Sequence, residues 1–481
     1  MRRRFSLLVA AALLPTTACA TTEAGTVEPA VSEVAPPYMG RDHVDWSRDA
    51  VIYQINTRQF TPEGTLAAAT RELDRLDAMG VDILWLMPVQ PIGEQNRKGT
   101  LGSPYSITDY TAVRGELGDM DDFKGFVDAA HARGMKVILD WVGNHTAWDH
   151  PWASRHPDWY EKNWKGEFVS TPYWDWTDII DLDYSNVAMR RAMTDAMKFW
   201  VRETDIDGFR ADVAGYMPPD FWEQTRAELE AIKPVWMLGE FGQRDLHDYS
   251  FDASYAWDWE KGLRNIAQGK SDATGLYGFY SEHASLWPKG AQRMIFTSNH
   301  DENAWAGTAY ERLGEALPNA FVLMFTSEGI PLIYNGQEAG LDRRLEFFEK
   351  DPIDWREHHN AANLQSLIAF RDAHPALHNA PWGGEMVYVK NSDEAKVFSF
   401  VRAKDGDAVF VAQNYSGEAV TVTLDGLPYE GAWQYVGTGW MEGDDSDGPV
   451  RVPAANRMMD LGAGSEISIP AWRSAIFIRR Y

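Results

Sequence analysis

The chain has 481 residues, with 71 acidic against 45 basic side chains and a formal net charge of -26. So acidic a surface argues against nucleic acid and anionic membranes as partners. A single cysteine, Cys19, leaves the mature fold without an internal disulfide, and 21 tryptophans can both fill a large core and offer flat amphipathic faces to ligands such as sugars.

The first stretch is a targeting signal. Arg2, Arg3 and Arg4 precede an apolar run over residues 5–14, and Ala18-Cys19-Ala20 offers a small-residue cleavage site, which gives a signal peptide over residues 1–20. The run is too short to span a bilayer as a helix. Thr16-Thr17-Ala18-Cys19 also resembles a bacterial lipoprotein signal, with Thr16 where Leu is usual, and Cys19 would then carry a lipid anchor. Both readings place the chain outside the cytoplasm: periplasmic, secreted or membrane-anchored. Residues 21–44, rich in Thr, Glu, Ala, Val and Pro, read as a flexible tether.

Beyond the tether the chain alternates short apolar runs with amphipathic segments. Strands are predicted over residues 51–55 and 81–87, with a helix over 66–79 between them that Gly80 stops. A long loop over 90–117 leads to a helix over 120–133 and a third strand over 136–141. Residues 146–184, dense in Trp, Asp, His and Pro, are too long for an ordinary connection and read as a small inserted subdomain. Alternation resumes with a helix over 186–203, a fourth strand over 208–212, a helix over 219–231, and strands over 235–238, 251–255, 293–297 and 330–334. Helices over 311–325 and 364–371 belong to the same rhythm. Eight strand–helix units predict an α/β fold, a (β/α)8 TIM barrel over residues 45–382 that contains the insertion. From residue 383 the texture changes to short strands over 387–389, 397–402, 408–413, 420–424 and 474–479, which predict a C-terminal antiparallel β-sandwich domain over 383–481.

In such barrels the chemistry sits at the carboxyl ends of the strands. The third strand ends in Asp140-Trp141-Val142-Gly143-Asn144-His145, the fourth holds Arg210 and Asp212, the fifth ends in Gly239-Glu240, and the seventh leads into Asn299-His300-Asp301. Residues i and i+2 of a strand share a face, so Arg210 and Asp212 lie side by side. Taken alone, that pair reads more readily as an ordinary structural contact. Together with Glu240 and Asp301 it brings three carboxylates, a guanidinium and two imidazoles to one rim. Neighbouring cations keep a carboxylate ionised, and carboxylates held together are driven to different pKa values. Glycoside hydrolysis needs that division of labour. His145 and His300 lack metal-ligand spacing, and neither a phosphate-binding Gly-Lys motif nor a dinucleotide glycine fingerprint is present.

Those four motifs, in that order, resemble the α-amylase family of retaining α-glucan hydrolases and transferases (glycoside hydrolase family 13). The resemblance implies a retaining α-glucan glycoside hydrolase that cleaves α-1,4 bonds of starch-derived chains, with α-1,6 bonds open, through a covalent glycosyl-enzyme intermediate. It implies Asp212 as nucleophile, Glu240 as acid/base and Asp301 as the third carboxylate that holds sugar hydroxyls. Arg210, His145 and His300 would serve the same sugar subsite, and Tyr105, in Ser103-Pro104-Tyr105, would stack on the sugar. Asp140 and Asn144 are read as structural. No cofactor is required. The loop over 57–65 lacks the Asp-rich calcium loop of some relatives, and Tyr216 stands where many have a calcium-side His, which leaves Asn144 as a candidate ligand for one calcium ion. Asp212-Val213-Ala214, with Pro219-Asp220-Phe221-Trp222 behind it, is similar to the neopullulanase and cyclomaltodextrinase branch. A transglycosylase on the same site, or a carbohydrate-binding protein without turnover on the same fold, are the alternatives. Trp152, Trp164, Trp174 and Trp176 are candidates for further sugar subsites.

Overall fold

In the computed structural model the strands run, in chain order, β1 (Ile52–Ile55), β2 (Ile83–Leu86), β3 (Lys136–Trp141), the short pair β4 (His145–Ala147) and β5 (Ile179–Asp181), then β6 (Gly208–Ala211), β7 (Trp236–Gly239), β8 (Ala253–Tyr255), β9 (Gln292–Phe296) and β10 (Ile330–Tyr334). Residues 40–441 and 457–481 are described, so the predicted signal peptide, Cys19 and most of the predicted tether lie outside the described residues.

Eight of these strands close a parallel barrel in the order β1-β10-β9-β8-β7-β6-β3-β2. Parallel strands covered on both faces read as continuous apolar runs, and β1, β2, β6, β7, β9 and β10 are buried at every position. Two cores follow. Ile52, Trp85, Ile138, Trp236, Leu238, Met294, Phe296 and Leu332 fill the barrel, while a larger cluster packs strand exteriors against the helices. Gly208 has a steric role at the start of β6: a Cβ there would lie 1.7 Å from the carbonyl oxygen of Trp236. Only glycine lets β6 pair with β7 in the register Arg210 to Leu238.

The predicted helix over 66–79 is two helices, Leu66–Thr70 and Leu73–Met79. The turn tightens between them, with the N–H groups of Arg71 and Glu72 bonding back three residues to Ala68 and Ala69. The predicted helix over 311–325 is likewise divided, into Ala309–Leu313, a 3-10 turn and Leu317–Thr326. Gly314 at φ +47° breaks it, and Pro318 starts the second part. In the insertion β4 pairs antiparallel with β5.

The C-terminal region adds β11 (Met386–Tyr388), β12 (Val397–Lys404), β13 (Asp407–Asn414), β14 (Val420–Thr423), β15 (Gly431–Gly437), β16 (Met458–Leu461), β17 (Glu466–Ile469) and β18 (Ser474–Arg480). Six form one antiparallel sheet, and β14 with β17 forms a ribbon packed on it through Val422, Ile467, Ile469, Phe410 and Trp433. Sequence periodicity did not anticipate β15, β16 and β17. Among the described residues no helix is long and apolar enough to cross a membrane.

Candidate active site

Strand register builds the site. Asp140 on β3 and Arg210 on β6 are direct partners across adjacent parallel strands. Arg210 is completely buried, and its guanidinium reaches four groups. Nη1 donates to Asp140 Oδ1 at 2.8 Å and Asp212 Oδ1 at 3.0 Å, Nε donates to the Tyr255 hydroxyl at 3.1 Å, and Nη2 lies 2.8 Å from Glu240 Oε2. One cation therefore ties the ends of β3, β6, β7 and β8 together.

Glu240 Oε2 also accepts the N–H of Val213 at 2.8 Å. Val213 follows Asp212 and sits at φ +38°, a left-handed backbone that a β-branched residue rarely adopts. Strain of this kind is found where a function fixes the chain. Here it turns the peptide beside one carboxylate toward the other.

A second, directed chain of hydrogen bonds crosses the rim. The N–H of His300 donates to Gln54 Oε1 at 3.2 Å, which orients the Gln54 amide so that Nε2 donates to His300 Nδ1 at 2.7 Å. His300 Nε2 then carries the ring proton, 2.7 Å from the Tyr105 hydroxyl and 3.3 Å from Asp301 Oδ2. Tyr105 in turn donates to Asp140 Oδ2 at 2.9 Å, and Trp85 Nε1 donates to the same oxygen at 3.1 Å. Tyr105 and His300 stack with ring centroids 5.5 Å apart. Burial lowers the His300 pKa to about 3, helped by Arg210, and lowers His145 to about 4. Both rings are neutral hydrogen-bonding groups near neutral pH.

The carboxylates behave differently from the expectation that Arg210 holds Asp212 ionised. Burial is the largest influence on Asp212 and raises its pKa well above the ordinary carboxylate range; Arg210 opposes it, and Glu240, Asp140 and Asp301 add to it. Burial raises Asp301 too, again against Arg210, and Asp140 is pushed up to about 6. Desolvation is the main reason: in a low-dielectric floor one guanidinium does not offset the burial of Asp212, Asp301 and Asp140. Asp301 acts on Asp212, so the titration of the two belongs to the pair and not to one residue.

Aromatic rings flank this floor. On the Asp301 side Phe347 stacks beside Tyr105 at 6.3 Å and meets Trp305 at 5.1 Å. On the other side Trp176 lies 5.8 Å from His145 and stacks on Trp174 at 6.0 Å. Trp174 Nε1 donates to the Tyr216 hydroxyl at 3.2 Å, and Tyr216 packs on Phe241, next to Glu240. Of the four predicted subsite tryptophans, Trp174 and Trp176 reach this shelf. Trp152 does not: it packs into the core against Tyr110 and Trp159. Trp164 is 90% exposed, and its one ring contact among the described residues is with the Lys165 ammonium.

Comparison with known proteins agrees with this geometry. A model of the α-amylase catalytic domain matches residues 25–389. The chain belongs to the α-amylase family. It is similar to alpha-amylase MalA of Haloarcula japonica, 32% identical over 407 residues that make up 79% of this chain and 57% of that protein. The chain thus spans little more than half the length of that relative. A cyclomaltodextrinase of Bacillus is 26% identical over 77% of this chain and 73% of its own. Among solved structures, a noncanonic maltogenic alpha-amylase AmyB from Thermotoga neapolitana superposes with TM-score 0.79 at 28% identity, covering 90% of this chain and 99% of that one. Closed parallel barrel and family are therefore shared, and the likeness extends toward the cyclomaltodextrinase branch.

Against that family background, the structure brings Asp212, Glu240, Asp301, Tyr105, Arg210 and His300 to one floor, with His145 beside it on β4. Asp140, expected to be structural, is fully buried and contacts Arg210, Tyr105 and Trp85 directly. Gln54 and Tyr255 were not anticipated. Their signal was a polar residue inside an apolar barrel strand, at 0% exposure in both cases. Asn144, the candidate calcium ligand, has its Nδ2 3.3 Å from Thr171 Oγ1 and 3.4 Å from Asp181 Oδ1. Among the described residues no cluster of three or more His, Cys, Asp or Glu is arranged to hold a metal.

Proposed function

We propose that this glycoside hydrolase cleaves α-1,4-glucosidic bonds of starch-derived chains with retention, with Asp212 as nucleophile and Glu240 as acid/base. The observation that carries the reading is the single Arg210 guanidinium that grips both carboxylates at 3.0 and 2.8 Å. Retaining enzymes need their two carboxyl groups close, about 5–5.5 Å apart, and inverting ones leave room for a water between them. Arg210 occupies Oδ1 of Asp212 and leaves Oδ2 to attack. In the first step an Asp212 oxygen forms an ester bond to the anomeric carbon. The glycosidic C–O bond breaks, and Glu240 gives its proton to the departing sugar oxygen. In the second step Glu240 takes a proton from water as its oxygen bonds to the anomeric carbon, and the ester to Asp212 breaks. Asp301, His145 and His300 hold the sugar hydroxyls, and the Tyr105 ring lies under the sugar.

Transfer to a second sugar is the alternative to hydrolysis. The shelf of Trp176, Trp174, Tyr216 and Phe241 beside Glu240 favours it, because an acceptor bound there competes with water. Product analysis on maltoheptaose, pullulan and a cyclodextrin decides bond preference and transfer together. We expect the α anomer to appear first by NMR, and a β anomer would overturn the mechanism. Glu240→Gln should lower turnover of maltooligosaccharides by about 10²–10⁴-fold. An activated aryl maltoside, whose leaving group needs no proton, should lose far less. Equal losses on both would sink the acid role.

We further propose that the chain is exported. The support is the charged, apolar and small-residue pattern of residues 1–20. With Cys19 lipidated the wild type should sediment with membranes and Cys19→Ser should not. Soluble fractions for both would leave a free exported enzyme.

A further inference from the structure

A groove of about 830 Å³ opens where helix Thr274–Leu286 and the segments leading into β9 and β10 meet the C-terminal sheet. Its walls include Gln292, which begins β9, and Gly329, just before β10. It therefore sits at the amino ends of the barrel strands, away from the carboxyl-end rim that holds Asp212, Glu240 and Asp301.

The charges on its walls are turned to protein partners. Lys289 pairs with Glu385, and Glu328 Oε1 accepts the N–H of Met386 at 2.6 Å. Arg402 donates to the carbonyls of Gly384, Ser327, Leu377 and His378 at 2.7–3.1 Å. Of the Lys, Arg, Asp and Glu side chains on its walls, Lys404 alone has no partner among the described residues. What lacks partners in the wall is neutral: Trp287 Nε1 and His283 Nδ1 are both buried without a hydrogen bond among the described residues. Burial and the neighbouring Arg293 lower the His283 pKa to about 3, so its ring carries no charge. A buried polar group without a partner is costly, and a bound ligand or water relieves it.

An aromatic surface continues the groove. Tyr429 lines it, is 44% exposed, and stacks on Tyr481, which is 55% exposed, with centroids 4.6 Å apart. Tyr429 is held at φ +64°, a left-handed backbone that a bulky side chain rarely adopts. Its carbonyl is pinned there by Trp433 Nε1 at 3.1 Å and Arg479 Nη1 at 2.6 Å. The fold thus maintains a strained backbone that presents a ring pair to solvent at the mouth of a cavity with unpaired neutral hydrogen-bonding groups.

We propose that this groove is a second carbohydrate site that takes several sugars of a neutral α-glucan chain. An uncharged, hydroxyl-rich ligand matches both the neutral unpaired groups and the aromatic faces. An anionic polymer would meet a single free lysine on a chain of net charge -26. The ligand class rests on the reading of the active site as α-glucan-specific. A polymer held there raises the local concentration of its own bonds at the catalytic rim, an advantage that a trisaccharide too short to reach both sites does not share.

The test uses the full chain, with Tyr429→Gly, which removes the ring and relieves the backbone, and Ala284→Arg, which fills the groove from an exposed helical position. In amylopectin affinity gels the wild type should be retarded, and both variants should show about tenfold weaker apparent affinity, with kcat/KM on maltotriose unchanged. A wild type that hydrolyses α-glucans without retardation, or variants retarded like the wild type, would overturn the second site. Parallel loss of maltotriose turnover would do the same. A wild type that hydrolyses no α-glucan would instead overturn the reading of the active site.

Discussion

Asp212→Asn should lose on the order of 10⁴-fold or more in kcat on maltotriose and keep its fold. The size follows from removing the atom that forms the covalent intermediate, since groups acting as one unit leave little activity when one is lost. The stability follows from electrostatics. Burial raises the Asp212 pKa, and Glu240, Asp140 and Asp301 raise it further, so a neutral amide of the same shape relieves crowding instead of leaving a hole. Arg210 keeps Asp140 and Glu240 as partners. Turnover and thermal midpoint measured on the same preparation therefore separate: the first collapses and the second holds or rises. Near-normal turnover would end the nucleophile assignment. In the wild type the same electrostatics set the acid limb of kcat/KM. The nucleophile acts as its anion, its pKa is raised, and activity should fall as pH drops through an apparent value above the usual carboxylate pKa of about 3.9.

Arg210→Met should cost both activity and stability. The side chain is completely buried and neutralises Asp140, Asp212 and Glu240 at 2.8–3.0 Å. Removing one member of a buried ionic network strands the others, typically at about 3–5 kcal/mol. The loss should depend on pH with a definite sign. Without the cation the folded-state pKa values of Asp212 and Asp140 rise further above their unfolded values. A carboxylate whose folded pKa is raised binds its proton more tightly when native, so its contribution to stability is present at low pH and lost as pH rises through the folded pKa. Denaturant unfolding should show the variant closer to the wild type at pH 5 than at pH 7, and the acid limb of its residual activity should move up. An equal deficit at both pH values would show that packing, not charge, is what Arg210 supplies.

The barrel was legible because its parts are local. A strand buried on both faces is an unbroken apolar run, and a polar residue at its carboxyl end stands out against it. Arg210, Asp212 and Glu240 were read that way. The i, i+2 relation alone placed Arg210 beside Asp212. What was hidden depends on neighbours across the barrel. Asp140 looks like a strand-end residue until register sets it against Arg210. Gln54 and Tyr255 look like a stray amide and an aromatic until His300 and Arg210 arrive from distant strands. Charge balance was hidden for the same reason: a pair read from sequence is one cation and one anion, and the structure gives one cation several anions. Trp152 and Trp176 are equivalent in composition, and only the path of the insertion sends one to the core and the other to the cleft. In the C-terminal domain, β15 to β17 carry exposed and half-buried positions with turns between them, which weakens the period-two signal.

The hydrogen-bond chain from Gln54 through His300 and Tyr105 to Asp140 begins on the first strand of the barrel and depends on a residue that follows β9, the seventh. β1 and β10 form the seam at which the two ends of the sheet meet. Any contiguous fragment that holds all four members runs at least from Gln54 to His300. The nucleophile and the acid, at the ends of adjacent strands β6 and β7, precede His300 in the chain. A chain that ends before β9 therefore carries Asp212 and Glu240 but lacks the His300 imidazole and the third carboxylate, Asp301, so the site is whole only when residues spread over most of the barrel sequence are present together.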